Sequence, residues 1–116
     1  MFTKKYLKEA SKATHIRLGV GIILYTKKKL LLELRSDCKK WGLIGGGVEI
    51  GEDVMETAIR ECFEETFIKI NKNKLRFLGL YSDISEYRII EYPDSCFHAI
   101  DIIYTYKISE NIKPKK

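Results

Sequence analysis

Residues 45–68 read GGGVEIGEDVMETAIRECFEETFI, and this stretch decides how the rest of the chain is understood. It opens on three consecutive glycines, where the backbone reaches conformations and close approaches closed to other residues. Val54, Ala58, Ile59, Cys62 and Phe63 then recur at helical spacing, which predicts a helix from Glu52 or Asp53 to about Thr66 with these residues as its buried stripe. Acidic residues at the start of that helix suit its N-terminal dipole. Glu61, Glu64 and Glu65 are spaced i, i+3, i+4, so their carboxylates share one helical face. Three like charges on one face repel. A hard divalent cation relieves that repulsion, and Mg²⁺ takes carboxylate oxygens, waters and phosphates as ligands. The plainer alternative is a solvated acidic face. The glycines just upstream favour the metal, because such loops let backbone groups approach a metal or phosphate closely. Arg60 lies next to Glu61 and points about 100° away from it on a helix. A contact between Arg60 and Glu52, eight residues earlier, needs Glu52 to fold back from the loop. It would clamp loop to helix and hold the glutamates in place.

Outward from this segment the chain reads as strands. Residues 16–25, IRLGVGIILY, are apolar and β-branched, and 30–35, LLLELR, form the partner strand of a hairpin across the polar turn at 26–29. Residues 36–40 read as a polar loop. After the helix, 75–81, 87–91 and 97–108 are rich in Ile, Leu, Tyr and Phe and read as three further strands, with Tyr92-Pro93-Asp94-Ser95 turning between the last two. Residues 1–14 read as a short helix or a loose arm. Strands, one strong helix, then strands make an α+β domain rather than a doubly wound repeat.

The 116 residues fit one domain, residues 1–116, with a core that needs no disulfide or structural metal. Cys38, Cys62 and Cys96 are odd in number and contain no CxxC pair, which argues against a disulfide framework or a thiolate zinc site. The N-terminus, MFTKKYLKEASK, is unlike a signal peptide, and no run approaches the roughly 20 apolar residues of a membrane span. A cytoplasmic protein with no membrane partner is expected. The net charge of +5 favours anionic ligands, but the lysines are scattered, so nucleic acid is not the expected partner.

The same stretch resembles the signature of the Nudix hydrolases, G-x5-E-x7-R-E-U-x-E-E-x-G-U with U aliphatic. Gly46 stands at the opening glycine and Glu52 at the next fixed position. Arg60 and Glu61 follow, then Cys62 at U, Glu64 and Glu65, and Ile68 closes the pattern. Phe67 replaces the late glycine, which normally ends the helix in a left-handed conformation. The resemblance implies a Nudix-type α/β/α sandwich with a mixed sheet. Residues after Ile108 are few, SENIKPKK, so the usual C-terminal helix is expected to be lacking.

The resemblance also implies Mg²⁺- or Mn²⁺-dependent hydrolysis of a phosphoanhydride in a nucleoside diphosphate linked to another moiety. Glu61, Glu65, Glu64 and the Gly45 carbonyl are the implied metal ligands. Glu61 or Glu64 is the implied base or water-orienting group, and Arg60 and Glu52 hold the geometry. Asp83, Glu86, Glu91 and Asp94 are alternative bases outside the motif. Arg35, Gly46 and Gly47 are the expected contacts to a nucleotide-like substrate, and Trp41, Tyr25, Phe97 and Tyr81 the aromatics able to stack on a base. A homodimer is left open. The competing reading is a nucleotide-binding module that keeps the fold without turnover.

Overall fold

The computed structural model describes residues 4–34 and 41–109. Its order is β1 (Lys5–Leu7), β2 (His15–Tyr25), β3 (Leu30–Leu31), β4 (Glu33–Leu34), β5 (Trp41–Gly42), β6 (Ile44–Gly47), α1 (Val54–Thr66), β7 (Arg76–Tyr81), β8 (Ile89–Tyr92) and β9 (Ser95–Lys107). Two long strands carry the architecture. β2 and β9 run parallel from His15↔Phe97 to Tyr25↔Lys107, and the sheet order is β1-β8-β9-β2-β3. β6 lies antiparallel against β2, and β7 against β9. Parallel and antiparallel pairs in one sheet, with α1 on one face, make the mixed α+β architecture the sequence implied. The short β4–β5 pair stands apart from the main sheet.

Side-chain alternation along β2 and β9 sorts the two faces of the sheet. Val20, Ile22, Leu24, Tyr104 and Tyr106 point to one side and bury against Ala58 and Cys62 of α1 and Ile44 of β6. Each large aliphatic buried there contributes about 1.5–3 kcal/mol. Arg17, Gly19, Gly21, Phe97, Ala99, Asp101 and Ile103 point to the other side, where no helix of the described residues covers them.

Several local expectations change. Lys5–Leu7 is neither helix nor arm: it pairs antiparallel with Ile89–Glu91 of β8. The expected hairpin partner at 30–35 breaks after two residues, because β3 pairs with β2 while β4 turns to pair with β5. Phe63 leaves the predicted buried stripe and is 39% exposed, while Thr57 and Thr66 enter it. The buried hydroxyls pay no penalty because Thr57 Oγ1 donates to Glu52 at 2.7 Å and Thr66 Oγ1 to the Cys62 carbonyl at 2.7 Å. Helix α1 begins and ends where the spacing placed it. At its start the Glu56 carboxylate accepts from the Asp53 amide at 2.8 Å. At its end Phe67 takes the left-handed conformation, φ 64°, and its amide donates to the Phe63 carbonyl at 2.8 Å. The glycine-type cap is therefore kept with a phenylalanine, at roughly 1 kcal/mol of local strain. The two rings meet edge to face at 5.6 Å. The expectation about a C-terminal helix concerns residues 110–116, and Arg35 lies at 35–40; both segments are outside the described residues.

Candidate active site

Arg60 organises the helix face. Its Nε donates to Glu52 Oε2 at 2.6 Å and its Nη2 to Glu52 Oε1 at 3.0 Å, a two-point grip on a carboxylate that has folded back from the loop. Thr57 Oγ1 and the Glu49 amide donate to that same Oε1, at 2.7 and 3.2 Å. With Arg60 foremost and Thr57 next, these donors hold the Glu52 pKa down at about 2, and the same contact raises that of Arg60. The remaining reach of the guanidinium is wider than adjacency on a helix suggests. Nη1 donates to Glu61 Oε2 at 2.5 Å and to Glu64 Oε1 at 3.3 Å, and Nη2 also donates to the Gly47 carbonyl at 3.2 Å. A long side chain curls back across the 100° that separates the Cβ directions.

The glycine strand β6 meets the glutamates directly. The Gly45 amide donates to Glu65 Oε2 at 3.2 Å. A Cβ on Gly46 would stand 2.4 Å from Glu61 Oε1 and 2.5 Å from its Cδ, so only glycine admits the carboxylate there. A Cβ on Gly45 would stand 2.0 Å from the Val20 carbonyl oxygen. Gly45, Gly46, Glu52, Arg60, Glu61, Glu64 and Glu65 are thus brought together. Their donor set, carboxylate and carbonyl oxygen alone, is that of a hard cation such as Mg²⁺. Among the described residues no three acidic, imidazole or thiol side chains are gathered at metal-ligating distance, and Arg60 engages Glu61 and Glu64.

On the opposite face of the sheet lies a cleft of about 660 Å³. Gly45–Gly47 form one wall; Arg17, Arg88 and Asp101 bring charge, and Tyr81, Tyr92 and Phe97 bring rings. Arg88 Nη2 donates to Asp101 Oδ2, and Arg88 Nε donates to the Ala99 carbonyl at 3.3 Å. Burial pushes the Arg88 pKa down, and the Asp101 carboxylate supplies the counter-charge. A Cβ on Gly19 would stand 2.3 Å from Asp101 Oδ1, so glycine at that position makes room for the pair.

The family whose pattern matches residues 15–115 is the NUDIX domain. The chain belongs to the NUDIX domain family. Within that family the chain is 44% identical over 57 residues to the RNA pyrophosphohydrolase of Pelagibacter ubique, covering 47% of this chain and 36% of that protein. It is 43% identical over 61 residues to nucleoside diphosphate-linked moiety X motif 6 of Mus musculus, covering 49% of this chain and 19% of that protein. The chain therefore spans only about a fifth to a third of the length of these curated relatives. Among solved NUDIX folds it is similar to the MutT protein of Methanosarcina mazei, with a TM-score of 0.64, 23% identity and coverage of 90% of this chain and 72% of that one.

Arg17, Arg88 and Asp101 of this NUDIX domain went unmarked in the sequence. The signal for Arg17 and Asp101 was a charged residue inside an apolar strand, IRLGVGIILY and FHAIDIIYTY, pointing to one face by the period of two; Arg88, just before β8, carried no such signal. Of the aromatic candidates, Tyr81 and Phe97 line the cleft and Tyr25 does not; the Trp41 side chain is outside the described residues. The alternative bases have other employment or lie off the cleft. Asp83 accepts from the Ser85 amide and hydroxyl at 3.0 and 2.8 Å, which lowers its pKa, and Glu91 pairs with Lys12 at 3.5 Å. Glu86 and Asp94 are not among the cleft residues. No helix among the described residues is long and apolar enough to cross a membrane.

Proposed function

We propose that the chain hydrolyses a phosphoanhydride bond in a nucleoside diphosphate linked to another moiety, with a divalent cation, Mg²⁺ or Mn²⁺, as cofactor. The observation that carries this reading is the glycine strand pressed between two sites: Glu61 and Glu65 meet it on the helix side, and the cleft opens on the other. Glu61, Glu65, Glu64 and the Gly45 carbonyl would hold the cation. Bound there, the cation would act as a Lewis acid on the phosphate and lower the pKa of a water. This chain's own residues do the rest. Arg60 and Glu52 keep the carboxylates in register with the strand, and positioning of this kind supplies much of the rate in phosphoryl transfer. Glu61 or Glu64 accepts the proton of the attacking water. The cleft receives the nucleoside, with Tyr81 and Tyr92 as stacking surfaces. All of these groups come from one chain, and a reducing cytoplasm suits the free, buried Cys62 and Cys96.

The test is a panel of nucleoside triphosphates, nucleotide sugars, ADP-ribose and dinucleoside polyphosphates, each with Mg²⁺ and with EDTA. The reading expects at least one substrate turned over only with the metal. A second reading, a nucleotide-binding module without turnover, is favoured by the engagement of Glu61 and Glu64 with Arg60, which balances their charge without a cation. It expects nucleotide binding that EDTA leaves unchanged and no turnover on any member of the panel.

A further inference from the structure

We propose that Arg17 grips the phosphate chain of the substrate and delivers it across the far edge of β6 to the glutamates that line that edge, an inference that rests on the nucleotide reading above. Arg17 stands on the cleft face of β2, and its guanidinium lies against Gly47: a Cβ there would be 2.9 Å from Arg17 Nη2. One residue earlier on the same strand, the added Cβ at Gly46 would meet Glu61 on the opposite face. Two adjacent glycines thus separate a cation on the cleft side from the carboxylates on the helix side. Among the described residues β6 is laddered only to β2, and on its far edge the Gly45 amide and the Gly47 carbonyl meet the side chains of Glu65 and Arg60. A nucleoside in the cleft reaches Glu61 and Glu65 by the shortest path when its phosphates cross that edge, and Arg17 stands beside the crossing.

The other contacts of Arg17 leave it fit for this work. Among the described residues it makes no ion pair; its described partner is the face of the Phe97 ring, 5.1 Å from the guanidinium carbon to the ring centroid. Stacking on a ring holds a guanidinium in place without using the N–H donors in its plane. Those donors match the oxygens of a phosphate in a two-point grip. Arg88, the other arginine of the cleft, is already tied to Asp101 and the Ala99 carbonyl. Arg17 sits near the start of β2 at the surface, so its replacement leaves the buried core untouched.

The experiment is calorimetric binding of α,β-methylene ADP and α,β-methylene GDP, which resist hydrolysis, against adenosine and guanosine. Wild type is compared with Arg17→Ala and Arg17→Lys, with circular dichroism as the folding control. Loss of a charge-assisted phosphate contact weakens the nucleotide analogues about ten- to a hundredfold in Arg17→Ala. The nucleosides should change less than about twofold, and Arg17→Lys should recover part of the loss because it keeps the charge without the fork. Equal loss for nucleosides and nucleotides, no loss for nucleotides, or a wild type that binds nucleotides no better than nucleosides overturns the inference. Phosphate-dependent binding lost in Arg17→Ala, together with no metal-dependent turnover of any substrate, leaves Arg17 standing and sinks the hydrolytic reading.

Discussion

Replacing Gly46 by alanine adds one methyl group at the tightest contact between strand and helix. The new Cβ would stand 2.4, 2.5 and 2.9 Å from Glu61 Oε1, Cδ and Oε2. An ordinary contact needs about 3.4 Å or more, so the Glu61 carboxylate has to retreat by about 1 Å. It cannot retreat freely, because Arg60 Nη1 holds Oε2 at 2.5 Å and is itself anchored on Glu52 and the Gly47 carbonyl. A displacement of about 1 Å at a catalytic group costs on the order of 100-fold in rate, or about 2.7 kcal/mol of barrier. The clash involves a movable side chain rather than backbone, so the fold should survive with a loss of about 1–2 kcal/mol. The assay is kcat on whichever nucleotide the wild type turns over, with urea unfolding as the control for stability. The expected result is a hundredfold fall in kcat with KM within about threefold, since the cleft is untouched. Wild-type kcat in a folded Gly46→Ala protein would refute the reasoning: Glu61 would then not be the group whose position limits the reaction.

Three further outcomes are expected. Glu61→Gln and Glu65→Gln keep their shapes but lose a charge from the cation site, so each should lower metal-dependent turnover at least about a hundredfold and raise the Mg²⁺ concentration at half-activity; unchanged turnover in either would remove it from the site. The Glu52 carboxylate is held at about 2 by Arg60 and Thr57, below its ordinary 4.5. A carboxylate lowered on folding contributes stability that is present above 4.5 and lost as pH falls toward 2. The stability gap between wild type and Glu52→Gln in urea unfolding should therefore shrink across that interval, and a gap that stays constant would contradict the clamp. At position 67 the left-handed conformation favours glycine, so Phe67→Gly should be more stable than Phe67→Ala by about 1 kcal/mol in the same assay. Equal stability would mean that the helix end relaxes out of that conformation.

Much of the helix-side site was legible before any tertiary structure. The i, i+3, i+4 spacing places Glu61, Glu64 and Glu65 together because a helix has a fixed pitch, and the apolar stripe sets the limits of α1 within a residue or two. The failures fall where local pattern does not carry the answer. Lys5–Leu7 is a strand because β8 offers it an edge eighty-odd residues away. Phe63 is exposed because α1 turns Ala58 and Cys62, rather than Phe63, toward the core formed with β6 and β2. Adjacency alone placed Arg60 away from Glu61, yet a flexible side chain of that length closes the gap when Glu52 and Gly47 anchor its other donors.

The cleft is the part that only the tertiary structure decided. Its floor exists because β2 and β9 pair in parallel, which sets Gly19 beside Asp101 and Gly21 beside Ile103 across a gap of 82 residues. No periodicity within either strand states that register, because a parallel pair is fixed by packing on both faces and by the long connection between them. By itself the sequence determined an acidic helix face just after a glycine-rich segment, since helical pitch and the absence of a Cβ are local properties; that the glycines form a strand, and that Arg60 clamps Glu52, was decided by the fold. Which cations and rings stand across that strand, Arg17 and Phe97 above all, was decided by the sheet that brings them there.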